Sequence, residues 1–246
     1  MIDLHCHILP GIDDGAKTPE ESLKMAEIAF RDGIRTIVAT PHVMGVHSNN
    51  VREVEKSIAN LADAFSTNGI NIRLISGADV PLSYGLMDKI KGGEAGTINN
   101  GMKYILLELP SYNVPPKVKD LIFELRINGI TPVITHPERN LMIQKDAGIM
   151  HDMVIMGALC QVTAMSITGD FGKIPQKSAA MLLERRLVHV IATDAHSADY
   201  RPPVLSKAVE AAANILGNYD EAERMVKDVP AAIISGNTPK IEDLRC

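Results

Sequence analysis

Apolar residues recur along the chain in two rhythms, short runs rich in β-branched residues and longer stretches with the three-to-four spacing of an amphipathic helix. Ile2 to His7 opens as a strand. Thr18 to Asp32 predicts a helix, with Thr18 as N-cap, Pro19 in the first helical position, Glu21 three residues after the cap and Gly33 as the stop. Ile34 to Ala39 predicts a second strand, ending in Thr40-Pro41-His42. Val51 to Phe65 reads as a helix closed by Asn68-Gly69, and Ile70 to Ile75 as a third strand ending in Gly77-Ala78-Asp79. Gly85 to Ile90 predicts a short helix, Gly92 to Gly101 a loop, and Tyr104 to Leu107 a fourth strand that delivers Glu108. Val114-Pro115-Pro116 opens a helix to Asn128-Gly129, and Thr131 to Thr135 is a fifth strand delivering His136. Leu141 to Met156 predicts a helix, and Leu159 to Thr163 a sixth strand whose exit carries no obvious ligand. Ile174 to Arg186 predicts a helix and Val188 to Thr193 a seventh strand, ending in Asp194-Ala195-His196. Helices near Val204 to Leu216 and Asp220 to Ile234 complete the pattern.

Seven strand-like runs alternating with helices imply parallel strand-helix-strand units. No glycine-rich phosphate loop follows the first strand, which argues against an open nucleotide-binding sheet. The expected fold is therefore α/β, a distorted seven-stranded (β/α)7 barrel of the TIM type. A length of 246 residues suits one such barrel, so residues 1–246 read as a single domain. Barrels of this kind carry their chemistry on loops at the C-terminal ends of the strands.

Composition narrows the picture by exclusion. No apolar run reaches the roughly 18 residues of a spanning helix, and the His5-Cys6-His7 motif begins too near Met1 to leave room for a signal peptide. A cytoplasmic protein without membrane insertion is expected. The formal net charge of -5 argues against a general grip on nucleic acid, so any phosphate must be held by local positive charge. Cys6, Cys160 and Cys246 are odd in number and far apart, which does not suggest a disulfide framework. Ile12 and Ser166 stand six residues after Cys6 and Cys160, where a cysteine-dependent phosphatase would place arginine. A thiol nucleophile is not expected.

The predicted strand ends carry His42, Asp79, Glu108, His136, Asp194 and His196. His5 and His7 point to one side of the first strand, because side chains alternate with period two. The Asp13-Asp14-Gly15 turn folds a carboxylate back over that strand's end. Taken singly these residues have bland readings: Asp14 as a loop cap, Glu108 paired with Lys103, His42 in a turn. As a set they would leave many buried polar groups needing partners, and metal ions would satisfy them together. Imidazole and carboxylate without thiolate suits Mn²⁺, Fe or Zn²⁺. His47, His151 and His189 have no ligand neighbours and read as non-catalytic, and Cys6 reads as core. Gly169 to Lys173 reads as a possible substrate-side loop.

His5-Cys6-His7, Asp13-Asp14-Gly15, Ala39-Thr40-Pro41-His42, Thr135-His136-Pro137-Glu138-Arg139-Asn140 and Asp194-Ala195-His196 resemble, in order, the motifs of the PHP (polymerase and histidinol phosphatase) superfamily. Within it they are most similar to the bacterial manganese-dependent protein-tyrosine phosphatases of capsule and exopolysaccharide loci. The resemblance implies up to three Mn²⁺ ions. One would be held by His5, His7, a bridging carboxylate and Asp194, a second by the same bridge with Glu108 and His136, and a third by Asp14, His42 and His196. The bridge is a departure, since Asp79 stands where the family usually has glutamate. The resemblance also implies phosphate contacts from Arg139 and Arg201, whose guanidinium forks suit phosphoryl oxygens. Asp194 or His196 would help protonate the leaving oxygen. The implied activity is hydrolysis of phosphotyrosine in a protein, expected to be a bacterial tyrosine kinase that controls polysaccharide export. Competing readings are a small-molecule phosphatase of the histidinol-phosphatase type, a non-catalytic metal-binding module, and an amidohydrolase.

Overall fold

A computed structural model describes residues 1–43 and 49–241, so His47 and Cys246 lie outside the described residues. The strands are β1 (Ile2–Cys6), β2 (Thr36–Ala39), β3 (Arg73–Ser76), β4 (Asp79–Pro81), β5 (Tyr104–Glu108), β6 (Thr131–Thr135), β7 (Leu159–Thr163) and β8 (Val190–Ala192). All pair in parallel, as β1-β2-β3 in one sheet and β4-β5-β6-β7-β8 in another. Seven strands in one barrel were expected, and the described residues form eight strand segments in two sheets. The extra segment lies beyond the exit of the third predicted strand, where the chain passes Gly77-Ala78 and pairs again: β3 pairs with β2, whereas β4 pairs with β5. A Cβ on Gly77 would lie 2.8 Å from Val38 Cγ1 and 3.0 Å from Thr40 Cγ2, so only glycine lets the chain pass this close to β2 as it changes sheets.

The two sheets meet along both edges. Cys6 bridges to Ala195 at one seam, where the His7 amide donates to Ala195 O and the Asp194 amide to His5 O, both at 2.8 Å. His42 bridges to Asp79 at the other, where the Asp79 amide donates to Pro41 O at 3.1 Å. Leu4, Val38, Ile75, Leu106, Val133, Leu159 and Val190, one from each of seven strands, pack into a single buried cluster. Removing such surface from water is the main favourable contribution to folding.

The helices are α1 (Pro19–Arg31), α2 (Val51–Thr67), α3 (Leu86–Gly92), α4 (Val118–Ile127), α5 (Gly148–Ile155), α6 (Ala164–Thr168), α7 (Lys173–Glu184), α8 (Ser206–Leu216), α9 (Tyr219–Arg224) and α10 (Asp228–Ile234). Thr18 caps α1 by accepting from the Glu21 amide, and Asn50 with Glu53 forms a capping box on α2. The helix expected from Leu141 to Met156 is confined to α5. Upstream, Asn140 Oδ1 accepts from the amides of Met142 and Ile143, which holds that segment in a turn. The expected helix from Asp220 to Ile234 is two, broken at Lys227 (φ -128°, ψ -77°), three residues before Pro230, which cannot donate to a continuous helix. The short α6 follows β7 directly and was not anticipated.

His189 is only 3 % exposed and accepts the Cys160 amide on Nδ1 at 3.0 Å, as a neutral imidazole does. Burial lowers its pKa to about 4 from the usual 6.5, against an opposing hydrogen bond at Leu187. The neutral form therefore favours folding, so this contribution is complete above pH 6.5 and is lost as pH falls toward 4. His189→Gln is expected to remove up to about 3 kcal/mol of that acid sensitivity. Denaturant unfolding of both proteins across this window measures it.

Candidate metal centre

The strand exits converge on one cavity of about 270 Å³, walled by Asp14, His42, Glu108, His136, Asp194 and His196 together with Arg139 and Arg201. His5 and His7 lie beneath it, fully buried, with their Nε2 atoms 3.1 Å apart. His7 Nδ1 donates to Asp13 Oδ2 at 2.7 Å and His5 Nδ1 to Gln161 Oε1 at 2.8 Å. With each ring proton on Nδ1, two Nε2 lone pairs face each other, an arrangement that calls for a cation between them. The local field agrees. Burial works against charge on His5, yet Asp79 and then Asp194 outweigh it and raise the imidazole's pKa.

Asp79 is the centre of the cluster. Its Oδ1 accepts from Thr135 Oγ1 at 3.2 Å. Its buried Oδ2 has no hydrogen-bond partner and lies 3.6 Å from His5 Nε2, 3.6 Å from His42 Nδ1 and 3.8 Å from His136 Nε2. An orphaned carboxylate oxygen among imidazole nitrogens is costly without a further partner, and a metal ion would supply one. Glu108 approaches His136 Nε2 at 3.6 Å and His42 Nδ1 at 3.9 Å. Burial and then the Asp79 charge push its carboxyl up to about 7. Burial and then Arg139 push His136 down to about 4, the neutral state a ligand needs.

On the other side, Asp14 Oδ1 lies 3.4 Å from His196 Nε2 and 3.7 Å from His42 Nε2. Asp194 Oδ1 is 3.5 Å from the Nε2 atoms of both His5 and His7, while its Oδ2 forms ion pairs with Arg139 at 2.9 Å and Arg201 at 2.6 Å. Despite full burial, His5 and then Arg139 hold Asp194 well below the usual carboxylate range. Ligand-type atoms of His7, Asp14, His42 and His196 all lie within 4.8 Å of one another, as do those of His5, His7 and Asp79, and those of His42, Asp79 and Glu108. The groups overlap more than the division into three separate ions implies, because His7 and His42 each belong to two. This mixed set of imidazoles and carboxylates fits a divalent metal of intermediate hardness.

The backbone aims these groups. His136 (φ 37°) and Asp194 (φ 51°) both occupy the left-handed region at the ends of strands, a conformation disfavoured for residues with a Cβ. His136 opens a 3-10 turn over Pro137–Arg139 that brings the Arg139 side chain back to Asp194. Ser197 Oγ accepts from the amides of Tyr200 and Arg201, and Arg201 O accepts from the His196 amide, folding the loop so that Arg201 returns to the cavity.

Sequence reasoning missed the residues that hold the ligand candidates. Asp13, beside the expected Asp14, fixes His7 and also accepts the amides of Gly15 and His42. Gln161 on β7, the strand without an obvious ligand, orients His5. Asp3 accepts from the Thr193 amide at 2.9 Å, tying β1 to the approach of Asp194, and burial raises its carboxyl to about 6 against those bonds. Buried Glu138 accepts from Ser166 Oγ at 2.6 Å and the Thr163 amide at 3.2 Å, anchoring the turn that carries Arg139. Partners of this kind orient imidazoles and raise their basicity. Asp13→Asn is expected to weaken divalent-metal affinity about 10- to 100-fold. Competition against a calibrated chelator reads the change, and an unaltered affinity would count against the role of Asp13.

His151 is half-buried on α5, and His189 lies between β7 and β8 away from the cavity. Cys6 is buried in the core. Among the described residues, no helix is long and apolar enough to cross a membrane.

Comparison with known proteins accords with this geometry. The chain is 38% identical over 202 residues to the tyrosine-protein phosphatase YwqE of Bacillus subtilis (strain 168), covering 82% of this chain and 79% of that protein. It is 29% identical over 240 residues to the tyrosine-protein phosphatase CpsB of Streptococcus pneumoniae, covering 95% and 98%. Its fold matches, with TM-score 0.95 and 32% identity over 100% of this chain and 98% of the other, a structure from work on YwqE of Bacillus subtilis and CpsB of Streptococcus pneumoniae, described as metal-dependent tyrosine phosphatases. With residues 1–235 matching the capsular polysaccharide synthesis family CpsB/CapC, the chain belongs to that family.

Proposed function

We propose that the protein is a metal-dependent protein-tyrosine phosphatase that hydrolyses phosphotyrosine by attack of hydroxide on phosphorus. The observation that carries this reading is the sharing of one cavity by an imidazole-carboxylate cluster and a pair of guanidiniums gathered on Asp194. The family and the names of its relatives support the same reaction class. We take residues 1–246 as one phosphatase domain on a distorted (β/α)7 barrel, working in the cytoplasm on a bacterial tyrosine kinase. His5, His7, Asp14, His42, Asp79, Glu108, His136, Asp194 and His196 would hold up to three Mn²⁺ ions.

When bound, divalent metal supplies Lewis acidity and makes hydroxide available near neutral pH. Arg139 and Arg201 bind the phosphoryl oxygens and set the phosphorus against the cluster. Asp194 keeps both guanidiniums turned inward before substrate arrives. The P–O bond to the aryl oxygen breaks as the new P–O bond forms, and the phenolate takes its proton from water as the acid, because the surrounding cations hold Asp194 ionised and burial keeps the His196 imidazole neutral, contrary to the acid role expected of them. Phenolate is a good leaving group and asks little of that acid.

Protein stripped by a chelator and reloaded with Mn²⁺, compared on a phosphotyrosine peptide and on histidinol phosphate, tests the reading. The expected result is no turnover when stripped, recovery with Mn²⁺, and kcat/KM at least about ten-fold higher on the peptide. Preference for histidinol phosphate would favour a small-molecule phosphatase, and activity that survives stripping would remove the metal mechanism.

A further inference from the structure

The segment between α6 and α7 is a built turn. Gly169 (φ 92°) and Gly172 (φ 91°) take the left-handed backbone that reverses the chain, the Gly172 amide donates to Gly169 O at 2.8 Å, and the Phe171 amide donates to Met165 O at 3.2 Å. These bonds fix the half-buried Phe171 where its ring centroid lies 5.7 Å from Arg139 Cζ and 5.4 Å from Arg201 Cζ. Two guanidiniums from different loops thus converge on one aromatic ring as well as on one carboxylate oxygen. Two cations held so close repel each other. Asp194 relieves that repulsion, but its other oxygen also faces His5 and His7. An aromatic face attracts a guanidinium through its quadrupole and leaves the N–H donors at the planar edge open to an incoming anion.

We propose that Phe171 is a positioning residue for phosphate recognition, its ring gathering Arg139 and Arg201 into the pair that receives the phosphoryl group. The proposal rests on the phosphatase reading and adds to it a residue that bears no charge and donates no hydrogen bond. It also gives a purpose to the loop after the strand without a ligand. Leucine keeps the apolar bulk of Phe171 but removes the π face, whereas tyrosine keeps both.

The test is calorimetric titration of inorganic phosphate into Mn²⁺-loaded protein, which needs no turnover. Phe171→Leu is expected to weaken phosphate binding about ten-fold and Phe171→Tyr less than about two-fold. In an Arg139→Ala, Arg201→Ala background, Phe171→Leu is expected to have no further effect, because the groups it positions are gone. Phosphate binding unchanged by Phe171→Leu, or a loss that persists in the background without the arginines, would overturn the proposal. A wild-type protein that binds phosphate but leaves phosphotyrosine peptides intact would refute the phosphatase reading alone, and one that binds no phosphate would remove both.

Discussion

Asp194→Asn is expected to lower kcat/KM on a phosphotyrosine peptide by about three orders of magnitude, the largest effect of any single change in this protein. The side chain reaches His5 and His7 with one oxygen and Arg139 and Arg201 with the other, so in the proposed reaction it links the candidate metal ligands to the arginines that would bind phosphate. Asparagine keeps the shape but removes the negative charge and replaces one acceptor by a donor that faces guanidinium or imidazole. Both halves suffer together: metal content falls, and the arginines lose the group that turns them inward. Initial rates and metal analysis on the same preparation check the expectation. A variant with full metal content and a loss below about ten-fold would show that Asp194 is not this link.

Arg139→Ala and Arg201→Ala are each expected to cost about 10²-fold in kcat/KM, with normal metal content. Both guanidiniums line the cavity, and the chain as a whole is acidic, so little other positive charge is available to a phosphoryl dianion there. Lysine should restore little, because a point charge does not reproduce the planar fork. Saturation kinetics on a phosphopeptide separate the losses in KM and kcat, and a change under about three-fold for either alanine variant would remove that arginine from substrate binding.

The parts of the molecule legible in the sequence were those determined by neighbours in the chain. Thr18, Pro19 and Glu21 declare the start of α1 because capping is a local hydrogen-bond problem. Strand exits could be named because β-branched runs end in turn-forming residues, so the candidate ligands at those exits are visible in the sequence. The break between β3 and β4 was not, since Gly77 matters through its approach to Val38 on β2 and to Thr40 just beyond it. The turn after Asn140 looked helical because its apolar spacing is helical, while the side-chain amide that captures the next amides leaves no periodic trace. Asp13, Gln161 and Glu138 escaped for a similar reason. Each acts on a residue brought to it by folding, and Gln161 meets His5 across 156 positions of sequence. Asp13 had a local signal in its proximity to Asp14, but a doublet of carboxylates does not say which one faces a metal and which steadies a histidine.

The two sheets are joined at Cys6 with Ala195 and at His42 with Asp79, and candidate ligands stand at both joints. An ion held by them would span a boundary within the scaffold, fastening strands that few backbone bonds connect. Depletion of metal in the cell would accordingly be felt as a loosening of architecture as well as a silencing of chemistry, since ligands that favour the folded chain deepen its stability in proportion to their supply.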